Sequence, residues 1–249
     1  MSEASSPELS LIAPTYKESE NVPILASRVH EALRGVRYEL IVVDDNSPDG
    51  TAQIAEGLSK QYPIRVLCRK DERGLATAVV AGFGLAHGQV LGVIDADLQH
   101  PPEEIPRLLQ AIRDGADVSI GSRYVPGGGV EGWTFSRRVM SRGAGMFSRI
   151  FLRSARHVKD PMSGFFLLRK EAIDGVELKP IGYKILLEVI ARGKVNKVTE
   201  VPYVFKERER GKSKLNMREQ KTYLQHVFRL ASDEGGIKKV FRPLAGGSK

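Results

Sequence analysis

The feature of this chain that most constrains its fold is a series of short apolar runs separated by longer amphipathic segments. The runs are Leu9 to Ala13, Glu39 to Val43, Ile64 to Cys68, Val90 to Ile94 and Val118 to Ile120. Uninterrupted apolar runs of this length are typical of strands buried on both faces, as in parallel sheets. We therefore predict buried parallel strands at all of these positions.

The segments between these runs carry apolar residues at helical spacing, with turn-forming residues at the joints. The predicted helices are Val22 to Leu33, Ala52 to Gln61, Leu75 to His87 and Glu103 to Asp114. Strands and helices in alternation predict an α/β fold with a mostly parallel central sheet. Further sheet-like stretches follow at Gly164 to Leu168 and Val198 to Phe205. We predict disorder over 1–8, one domain over 9–215, and an amphipathic helix with a flexible tail over 216–249.

Composition narrows the class of protein. The net charge of +8 favours an anionic partner such as a phosphate, a lipid headgroup or a nucleic acid. Cys68 is the only cysteine, which excludes an internal disulfide and a thiolate metal cage, and we expect it to pack inside its strand. No stretch approaches the roughly 20 apolar residues that a membrane-spanning helix needs, and the N-terminus lacks a signal-peptide pattern. We expect a cytoplasmic protein, either soluble or peripheral on a membrane.

In a sheet of this kind, ligands bind beyond the carboxyl ends of the strands. The run Glu39 to Val43 is followed at that end by Asp44 and Asp45. Two carboxylates in this position can hold a ribose or a base through charge-assisted hydrogen bonds. The alternative is structural, with Asp49 and Gly50 forming a turn while one of the aspartates caps the next helix.

A second acidic cluster follows the run Val90 to Ile94. Alternation along an extended segment puts Asp95, Asp97 and Gln99 on one side of the chain. Mg²⁺ commonly takes one or two protein carboxylates and completes its shell with water and substrate phosphates. We predict that Asp95, Asp97 and Gln99 bind Mg²⁺ or Mn²⁺. His100 has no partner histidine at metal-binding spacing, so we place it at the surface or behind the ligands.

Two other phosphate-binding motifs are excluded by their spacing. Gly82, Gly84 and Gly88 miss the dinucleotide fingerprint by one residue and follow a helical pattern rather than a strand. Gly211 to Ser213 is similar to the end of a P-loop, but Lys206 stands where its first glycine belongs. Neither a dinucleotide dehydrogenase nor a P-loop nucleotidase is supported.

Several segments together resemble the dolichyl-phosphate mannosyltransferase family: Pro14 to Glu18, Asp44 to Thr51, Asp95 to Glu103, Gly121 to Tyr124 and Arg208 to Leu215. The resemblance extends from about Leu9 to Leu230. It implies an inverting glycosyltransferase with a GT-A fold, which is a Rossmann-like nucleotide-sugar-binding fold. The first family motif reads Pro-Thr-Tyr-Asn-Glu, whereas this chain has Lys17 at the Asn position.

The resemblance also implies roles for the matching residues. Those that contact the sugar donor and its nucleotide are Pro14, Tyr16, Glu18, Val43 and Asp45. Those around the metal and the diphosphate are Asp95, Ala96, Asp97 and Gln99. Those that surround the donor and acceptor phosphates with cationic and polar groups are Arg123, Arg137, Ser141, Arg208 and Lys214. We expect Asp95, Asp97 and Arg123 to be the catalytic residues.

The implied reaction moves mannose from GDP-mannose to dolichyl or polyprenyl phosphate. A phosphate monoester has its second pKa at about 6, so at neutral pH the acceptor is mostly dianionic and needs no general base. We expect a direct displacement with inversion at the anomeric carbon, in which the metal and the basic side chains stabilise charge on the departing nucleoside diphosphate.

Two amphipathic segments are candidates for contact with a membrane. Between Trp133 and Arg156, one face is rich in arginine and another carries Met140, Ala144, Phe147, Ile150 and Phe151. This pattern is typical of an interfacial helix or of a core-packed helix with a solvated basic face, and the lipid acceptor favours the membrane. A second stripe comprises Tyr223, Leu224, Val227, Phe228 and Ala231. We expect a peripheral position on the cytosolic face of a membrane, or an anchoring partner subunit.

Three alternatives stay open. An enzyme with the same fold could transfer glucose or another sugar to the same lipid. A basic nucleic-acid-binding protein would explain the net charge but not the acidic clusters, which repel a phosphate backbone, so we expect no nucleic-acid partner. A non-catalytic sugar-nucleotide-binding subunit would keep the motifs without turnover.

Overall fold

The computed structural model describes residues 6–206 and 217–235. Strand and helix alternate through its first half as β1 (Leu9–Thr15), α1 (Val22–Ala32), β2 (Tyr38–Asp44), α2 (Thr51–Leu58), β3 (Ile64–Cys68), α3 (Leu75–Leu85), β4 (Val90–Val93), α4 (Ile105–Arg113) and β5 (Val118–Ser122). The second half contains β6 (Gly129–Val130), α5 (Phe135–Phe151), β7 (Phe166–Arg169), α6 (Ile185–Arg192), β8 (Val198–Pro202), β9 (Val204–Phe205) and α7 (Met217–Asp233). Short 3₁₀ turns at Pro102–Glu104 and Lys170–Ala172 precede α4 and follow β7.

The central sheet has the strand order β3-β2-β1-β4-β7-β5-β8. Strands β1 to β4 pair in parallel, β8 pairs in parallel with β5, and β7 runs antiparallel to both β4 and β5. Strands β6 and β9 form a separate parallel pair. The predicted α/β fold with a mostly parallel sheet is therefore confirmed. β7 forms at the sheet-like stretch predicted over Gly164 to Leu168, but its antiparallel direction was not predicted.

The predicted strands and helices begin and end within a few residues of the observed ones, but the burial of β3 was predicted wrongly. Only Ile64 of this strand is buried, and Cys68 is exposed rather than packed. The reason is the position of β3 at the edge of the sheet, where it has β2 as its single neighbour. An edge strand buries fewer side chains than a central one, whatever its hydrophobicity.

Two hydrophobic clusters cover the two faces of the sheet. Alternate residues of β1 point to opposite faces, so that Leu11 packs against α1 and α4 while Ile12 packs against α3. Gly82 of α3 is required for this second contact, because a Cβ atom there would lie 2.7 Å from Cγ2 of Ile12. This glycine brings helix and sheet together, which agrees with the exclusion of a dinucleotide motif.

A third cluster joins α5 to α7 and to the inner side of α6, and includes Leu152, Leu187, Val227 and Leu230. Along the described helices, none combines the length and hydrophobicity that a membrane crossing needs. The predicted domain boundaries stay predictions. Glu8, the last residue of the predicted N-terminal segment, accepts two hydrogen bonds from the Arg113 guanidinium, at 2.8 and 2.9 Å.

Candidate functional site

The strand order brings three loops to one end of the sheet. Ile12 of β1 pairs with Val93 of β4, and Thr15 of β1 pairs with Asp44 of β2. The loops after these strands are residues 16–21, 45–50 and 94–101. They meet near the boundary between β1 and β4, where the strand order changes direction. We call these three loops the carboxyl edge. Open α/β sheets bind their ligands at such a reversal.

Each loop of the carboxyl edge contains one non-glycine residue in the left-handed backbone region. These residues are Lys17, Asn46 and Leu98, with φ of 61°, 53° and 62°. This conformation is unfavourable for most side chains, least so for Asn, and it concentrates at functional sites. The Asn that the resembling family carries at the position of Lys17 suits this backbone better than lysine does.

The loop after β1 is hydrogen-bonded to the loop after β2. The Lys17 amide donates to Ser47 Oγ at 2.9 Å, and the Glu18 amide donates to Thr51 Oγ1 at 3.0 Å. The Glu18 carboxylate accepts a hydrogen bond of 2.6 Å from Asn21 Nδ2. The ring of Tyr16 is half-buried, and the Arg73 guanidinium lies 5.1 Å from its centre. Pro14, the remaining predicted residue of this motif, is half-buried in β1.

Asp44, the last residue of β2, and Asp49 make structural hydrogen bonds in this loop, but neither Asp44 nor Asp45 caps α2 as the structural alternative expected. Asp44 is fully buried and accepts hydrogen bonds from the Ser47 amide at 2.7 Å and from Thr15 Oγ1 at 3.0 Å. Asp49 Oδ1 accepts from the amide and the hydroxyl of Thr51, at 3.2 and 2.6 Å, where α2 begins. Both carboxylates therefore shape the loop.

Asp45 has different hydrogen-bond partners from those of Asp44. Its Oδ1 accepts from Nε of Arg69 at 2.8 Å, and its Oδ2 accepts from the amide of Gly74 at 2.8 Å. Asp45 and Arg69 are both buried, so this ion pair fixes the β3–α3 loop against the carboxyl edge. Val43, the other residue predicted to contact the nucleotide, is fully buried in β2. The nucleotide contacts of Asp45 and Val43 stay predictions.

The acidic cluster after β4 lies in the same edge. Asp95 is partly exposed, whereas Ala96, Asp97 and Gln99 are buried. The backbone amide of Gln99 donates to Asp97 Oδ1 at 3.2 Å, which fixes the turn between these two residues. The Gln99 side chain donates through Nε2 to the Lys206 carbonyl at 3.0 Å.

His100 is not at the surface, so that part of the prediction was wrong. Its ring is buried and stacks on Phe165 with the ring centres 5.3 Å apart. Its Nδ1 lies 3.6 Å from Oδ2 of Asp95, behind that carboxylate. Burial lowers the pKa of His100 to about 3, so the imidazole is neutral at physiological pH. The neutral ring accepts a hydrogen bond of 3.4 Å at Nδ1 from the backbone amide of Asp95, which helps to fix that residue without adding charge.

The donor set suits a hard divalent cation. Asp95, Asp97 and Gln99 offer two carboxylates and one carboxamide, which are the oxygen ligands that Mg²⁺ and Mn²⁺ prefer. Within residues 6–206 and 217–235, no group of three or more His, Cys, Asp or Glu side chains could hold a metal alone. Mg²⁺ held by one or two carboxylates takes its remaining ligands from substrate phosphates and water.

Arg123 is buried beside this cluster and is bound to Asp160. Its amide, Nε and Nη2 donate to the Asp160 carboxylate at 3.0, 2.7 and 2.7 Å. Although burial acts to lower it, the pKa of Arg123 is raised above its usual value by the hydrogen bonds and charge of Asp160. The Arg123 guanidinium also lies 5.3 to 5.6 Å from the ring centres of Tyr124, Trp133 and Phe205.

The segment over residues 159–165, which we call the Asp160 loop, connects Arg123 to Asp95. The amides of residues 159 and 160 donate to the Glu200 carboxylate at 2.8 and 2.9 Å. At the other end of the loop, a Cβ atom on Gly164 would lie 3.2 Å from Oδ2 of Asp95. No sequence motif indicated Asp160, Gly164 or Glu200, because each acts through a partner distant in the chain.

The remaining predicted residues are divided between two regions. Arg137 and Ser141 lie in the first half of α5, where the Arg137 guanidinium lies 4.3 Å from the ring centre of Trp133. The Tyr124 hydroxyl donates to Ser141 Oγ at 2.8 Å, so the start of α5 is joined to the residue that follows Arg123. Arg208 and Lys214 lie outside the described residues.

Comparisons with known proteins agree with this geometry. Residues 10–176 match the family model described as glycosyl transferase family 2. The chain is 52% identical to a dolichol-phosphate mannosyltransferase of Pyrococcus furiosus, over 94% of this chain and 67% of that protein. It is 42% identical to a polyprenol monophosphomannose synthase of Mycolicibacterium smegmatis, over 83% and 80% of the two chains. It is 39% identical to a dolichol-phosphate mannosyltransferase of Saccharomyces cerevisiae, over 90% and 86%.

A solved structure of glucosyl-3-phosphoglycerate synthase from Mycobacterium tuberculosis, in complex with Mn²⁺, UDP and glucosyl-3-phosphoglycerate, superposes with a TM-score of 0.68. The two chains are 16% identical, and the match covers 92% of this chain and 80% of the other, which shows a shared GT-A fold. The family model and the relatives identify the chain more narrowly. It belongs to glycosyl transferase family 2, in the group of the dolichol-phosphate mannosyltransferases.

Proposed function

We propose that this chain transfers mannose from GDP-mannose to a dolichyl or polyprenyl phosphate, with inversion at the anomeric carbon. The observation that carries the proposal is the Asp160 loop, which connects the buried cation of Arg123 with the Asp95 carboxylate at the end of β4. Groups of opposite charge supported by one loop suit a substrate whose diphosphate binds both a metal ion and basic side chains. The names of the similar proteins supply the sugar and the lipid class.

The metal would be bound by Asp95, Asp97 and Gln99. A divalent cation there supplies charge neutralisation for the departing diphosphate. The hydrogen bonds from the Gln99 backbone amide to Asp97 and from the Gln99 side chain to Lys206 keep the Asp97 and Gln99 side chains in place before substrate arrives. Mg²⁺ and Mn²⁺ both suit oxygen ligands, and the structurally similar synthase was solved in complex with Mn²⁺ and UDP.

The basic residues would hold the phosphates. Arg123 is permanently charged and mostly shielded from water, so its interaction with a phosphoryl oxygen is stronger than that of an exposed arginine. Arg137 and Ser141 at the start of α5, together with Arg208 and Lys214, would complete the set around donor and acceptor phosphates. Asp45 would act on the nucleotide side, where it fixes the β3–α3 loop beside Tyr16.

This assignment needs no general base. The acceptor phosphate is mostly dianionic above its second pKa of about 6, so its oxygen can attack without losing a proton. The protein would contribute by aligning the acceptor oxygen with the anomeric carbon and by stabilising the departing charge. Asp95, Asp97 and Arg123 are therefore the proposed catalytic residues.

Helix α5 supplies the proposed membrane contact, by a face that matches the predicted one only in part. Ala144, Phe147 and Phe151 of the predicted face pack against α7 and the third cluster. Met140 and Ile150 of that face stay exposed. Ile150 lies along one side of α5 with three other exposed apolar residues, and we call these four the exposed stripe: Phe135, Val139, Met146 and Ile150. Arg138 and Arg142 flank the stripe and are exposed.

We place the exposed stripe on the cytosolic surface of a membrane that contains the lipid acceptor. The exposed fraction of Phe135 is 82%, and those of Met146 and Ile150 are 55% and 51%, which is unfavourable in water. A helix lying in the membrane interface would bury this apolar face, while Arg138 and Arg142 would meet anionic headgroups. Leu224 and Phe228 of α7 are exposed beside the Phe147 and Phe151 rings and would extend the contact.

A reconstitution assay tests the proposal. Purified protein is mixed with Mg²⁺ or Mn²⁺, a polyprenyl phosphate and labelled GDP-mannose or UDP-glucose, and the lipid is then extracted. We expect label in the lipid from GDP-mannose, in a β-linked product, and none after chelation of the metal. Transfer from UDP-glucose alone would assign another sugar, and retention of configuration or undiminished transfer in excess chelator would contradict the mechanism.

A further inference from the structure

Lys184 immediately precedes α6 and is half-buried. Its Nζ donates a hydrogen bond of 2.8 Å to the carbonyl oxygen of Met162. In the described part of the chain, this is the only hydrogen bond of that ammonium group. An ammonium group has three donors, so the bond to Met162 uses one of them.

Met162 places Lys184 in the middle of the Asp160 loop. Two residues before it, Asp160 binds Arg123, and two residues after it, Gly164 approaches the Asp95 carboxylate. The ammonium group therefore meets the loop between its contact with the buried guanidinium and its contact with the acidic cluster. Neither the sequence motifs nor the family resemblance pointed to this lysine.

The charges around Lys184 favour an additional anion. Burial and the nearby Arg123 lower the pKa of Lys184 to about 8, while Asp95 and Asp160 act to raise it. Asp160 is already committed to Arg123 through three hydrogen bonds. In the described residues Lys184 Nζ has no carboxylate among its hydrogen-bond partners, so a phosphate could accept from its remaining N–H groups and offset the repulsion from Arg123. A neutral sugar hydroxyl would not offset it.

We propose that Lys184 is a further phosphate-binding residue of this site, and that its ammonium group binds a phosphoryl oxygen of the donor diphosphate or of the acceptor phosphate. The inference rests on the proposed function for the identity of the two phosphates. Lysine binds phosphate as a point charge on a flexible stem, so the Met162 carbonyl would set its direction. Arg123 would then bind an anion from the start of the Asp160 loop and Lys184 from its middle.

Two substitutions separate binding of phosphate from support of the loop. Lys184→Gln keeps a donor for the Met162 carbonyl but removes the charge, and Lys184→Arg keeps the charge. Lys170→Met is the matched control, because Lys170 is also half-buried and its Nζ also donates to a carbonyl, that of Ala86, at 3.1 Å. Lys170 follows the antiparallel strand β7 and so lies at the opposite end of the sheet.

Calorimetry then measures two dissociation constants for each variant in the presence of Mg²⁺. One is for GDP, and the other is for a short-chain polyprenyl phosphate added to the protein with GDP bound. We expect Lys184→Gln to raise at least one of them about tenfold or more, as expected for the loss of a charged hydrogen bond. Lys184→Arg should keep most of the affinity, and Lys170→Met should leave both constants unchanged.

The pattern of change identifies the phosphate. A weaker affinity for GDP alone assigns Lys184 to the donor, and a weaker affinity for the lipid phosphate alone assigns it to the acceptor. The proposal is overturned if Lys184→Gln leaves both dissociation constants unchanged, even if the thermal unfolding temperature of this variant falls. Neither measurement requires transfer of mannose, so failure of the proposed function would appear separately, as binding of both ligands without a lipid-linked product.

Discussion

The carboxyl edge of the sheet and the helix pair α5–α7 differ in how they use polar and apolar groups. At the edge, charged side chains such as Asp45 and Arg123 are buried and fixed by several hydrogen bonds each. In the helix pair, the contact is aromatic: the rings of Phe147 and Phe151 lie 5.8 and 5.3 Å from that of Phe228. One region therefore buries charge, and the other leaves apolar surface exposed.

This difference corresponds to the two environments, one polar and one apolar, that the proposed substrates require. A sugar nucleotide and a phosphate need fixed dipoles and charges with little competing water, which the edge supplies before binding. A polyprenyl chain needs an apolar medium, which the exposed stripe of α5 would reach in a membrane. Tyr124 and Ser141 connect the regions through a hydrogen bond of 2.8 Å.

The largest expected effect is on the stability of the edge. Asp160→Ala leaves the Arg123 guanidinium buried without its partner, and breaking such a pair costs about 3 to 5 kcal/mol of unfolding free energy. The matched control is Glu103→Ala, which removes the exposed partner of Arg28 and should cost about 1 kcal/mol or less. Chemical denaturation measures both. Equal losses of unfolding free energy in the two variants would mean that the buried ion pair of the carboxyl edge is no more stabilising than an exposed one.

The next effect concerns turnover. Asp97→Ala removes one carboxylate of the proposed metal site, and we expect kcat to fall by about 10² to 10³, as for other losses of one electrostatic stabiliser. Asp174→Ala, an exposed aspartate near the other end of the sheet, should leave kcat unchanged. The measurement compares initial rates of lipid mannosylation, together with the unfolding temperatures of both variants. Full activity of Asp97→Ala in excess chelator would remove the acidic cluster from the reaction.

These two variants also mark what the sequence could and could not predict. Asp97 was identified because the cluster follows an apolar run directly, so the strand and its functional residues are local in the chain. Asp160 was missed because its partner Arg123 is separated from it by 37 positions and no motif surrounds it. The same holds for Arg69, which engages Asp45 across the β3–α3 loop.

The faces of α5 give a second example of the same limit. Helical spacing predicted an amphipathic segment between Trp133 and Arg156, and the helix forms there as Phe135–Phe151. Which apolar residues stay exposed depends on α7, more than 60 positions later in the chain, which covers Phe147 and leaves Ile150 in contact with solvent. Periodicity describes a helix, whereas exposure depends on its tertiary neighbours. The burial of His100 against Phe165 was missed for the same reason.

A smaller effect tests the helix pair. The double substitution Met146→Ser and Ile150→Ser should lower partitioning onto vesicles that contain anionic lipid by about tenfold, from the loss of two half-exposed apolar side chains. Ile54→Ser in α2 is the control, because Ile54 is also exposed but lies outside the stripe. Vesicle sedimentation measures binding, and mannosylation of a detergent-dispersed acceptor should be unchanged. Equal binding of both variants would exclude the stripe.

The smallest effect concerns the one fully buried carboxylate between α6 and α7. Glu188 accepts hydrogen bonds of 2.7 Å from His226, from Arg192 and from the amide of Lys179, and Arg229 lies 3.4 Å away. Although burial acts to raise it, these partners, His226 first, lower the pKa of Glu188 from 4.5 to about 2. The stabilisation is therefore complete above pH 4.5 and decreases as the pH falls from there towards 2.

This pH dependence can be measured against a variant that cannot ionise. Between pH 6 and pH 4, the wild-type protein should lose about 1 kcal/mol more unfolding free energy than Glu188→Gln, because only the wild type takes up this proton on unfolding. Glu56→Gln, at an exposed position of α2, should follow the wild type. Equal losses of unfolding free energy in Glu188→Gln and the wild type would show that ionisation of Glu188 does not stabilise the packing of α6 on α7. Buried charge would then stabilise the carboxyl edge but not the packing of α7, which would sharpen the contrast between the regions.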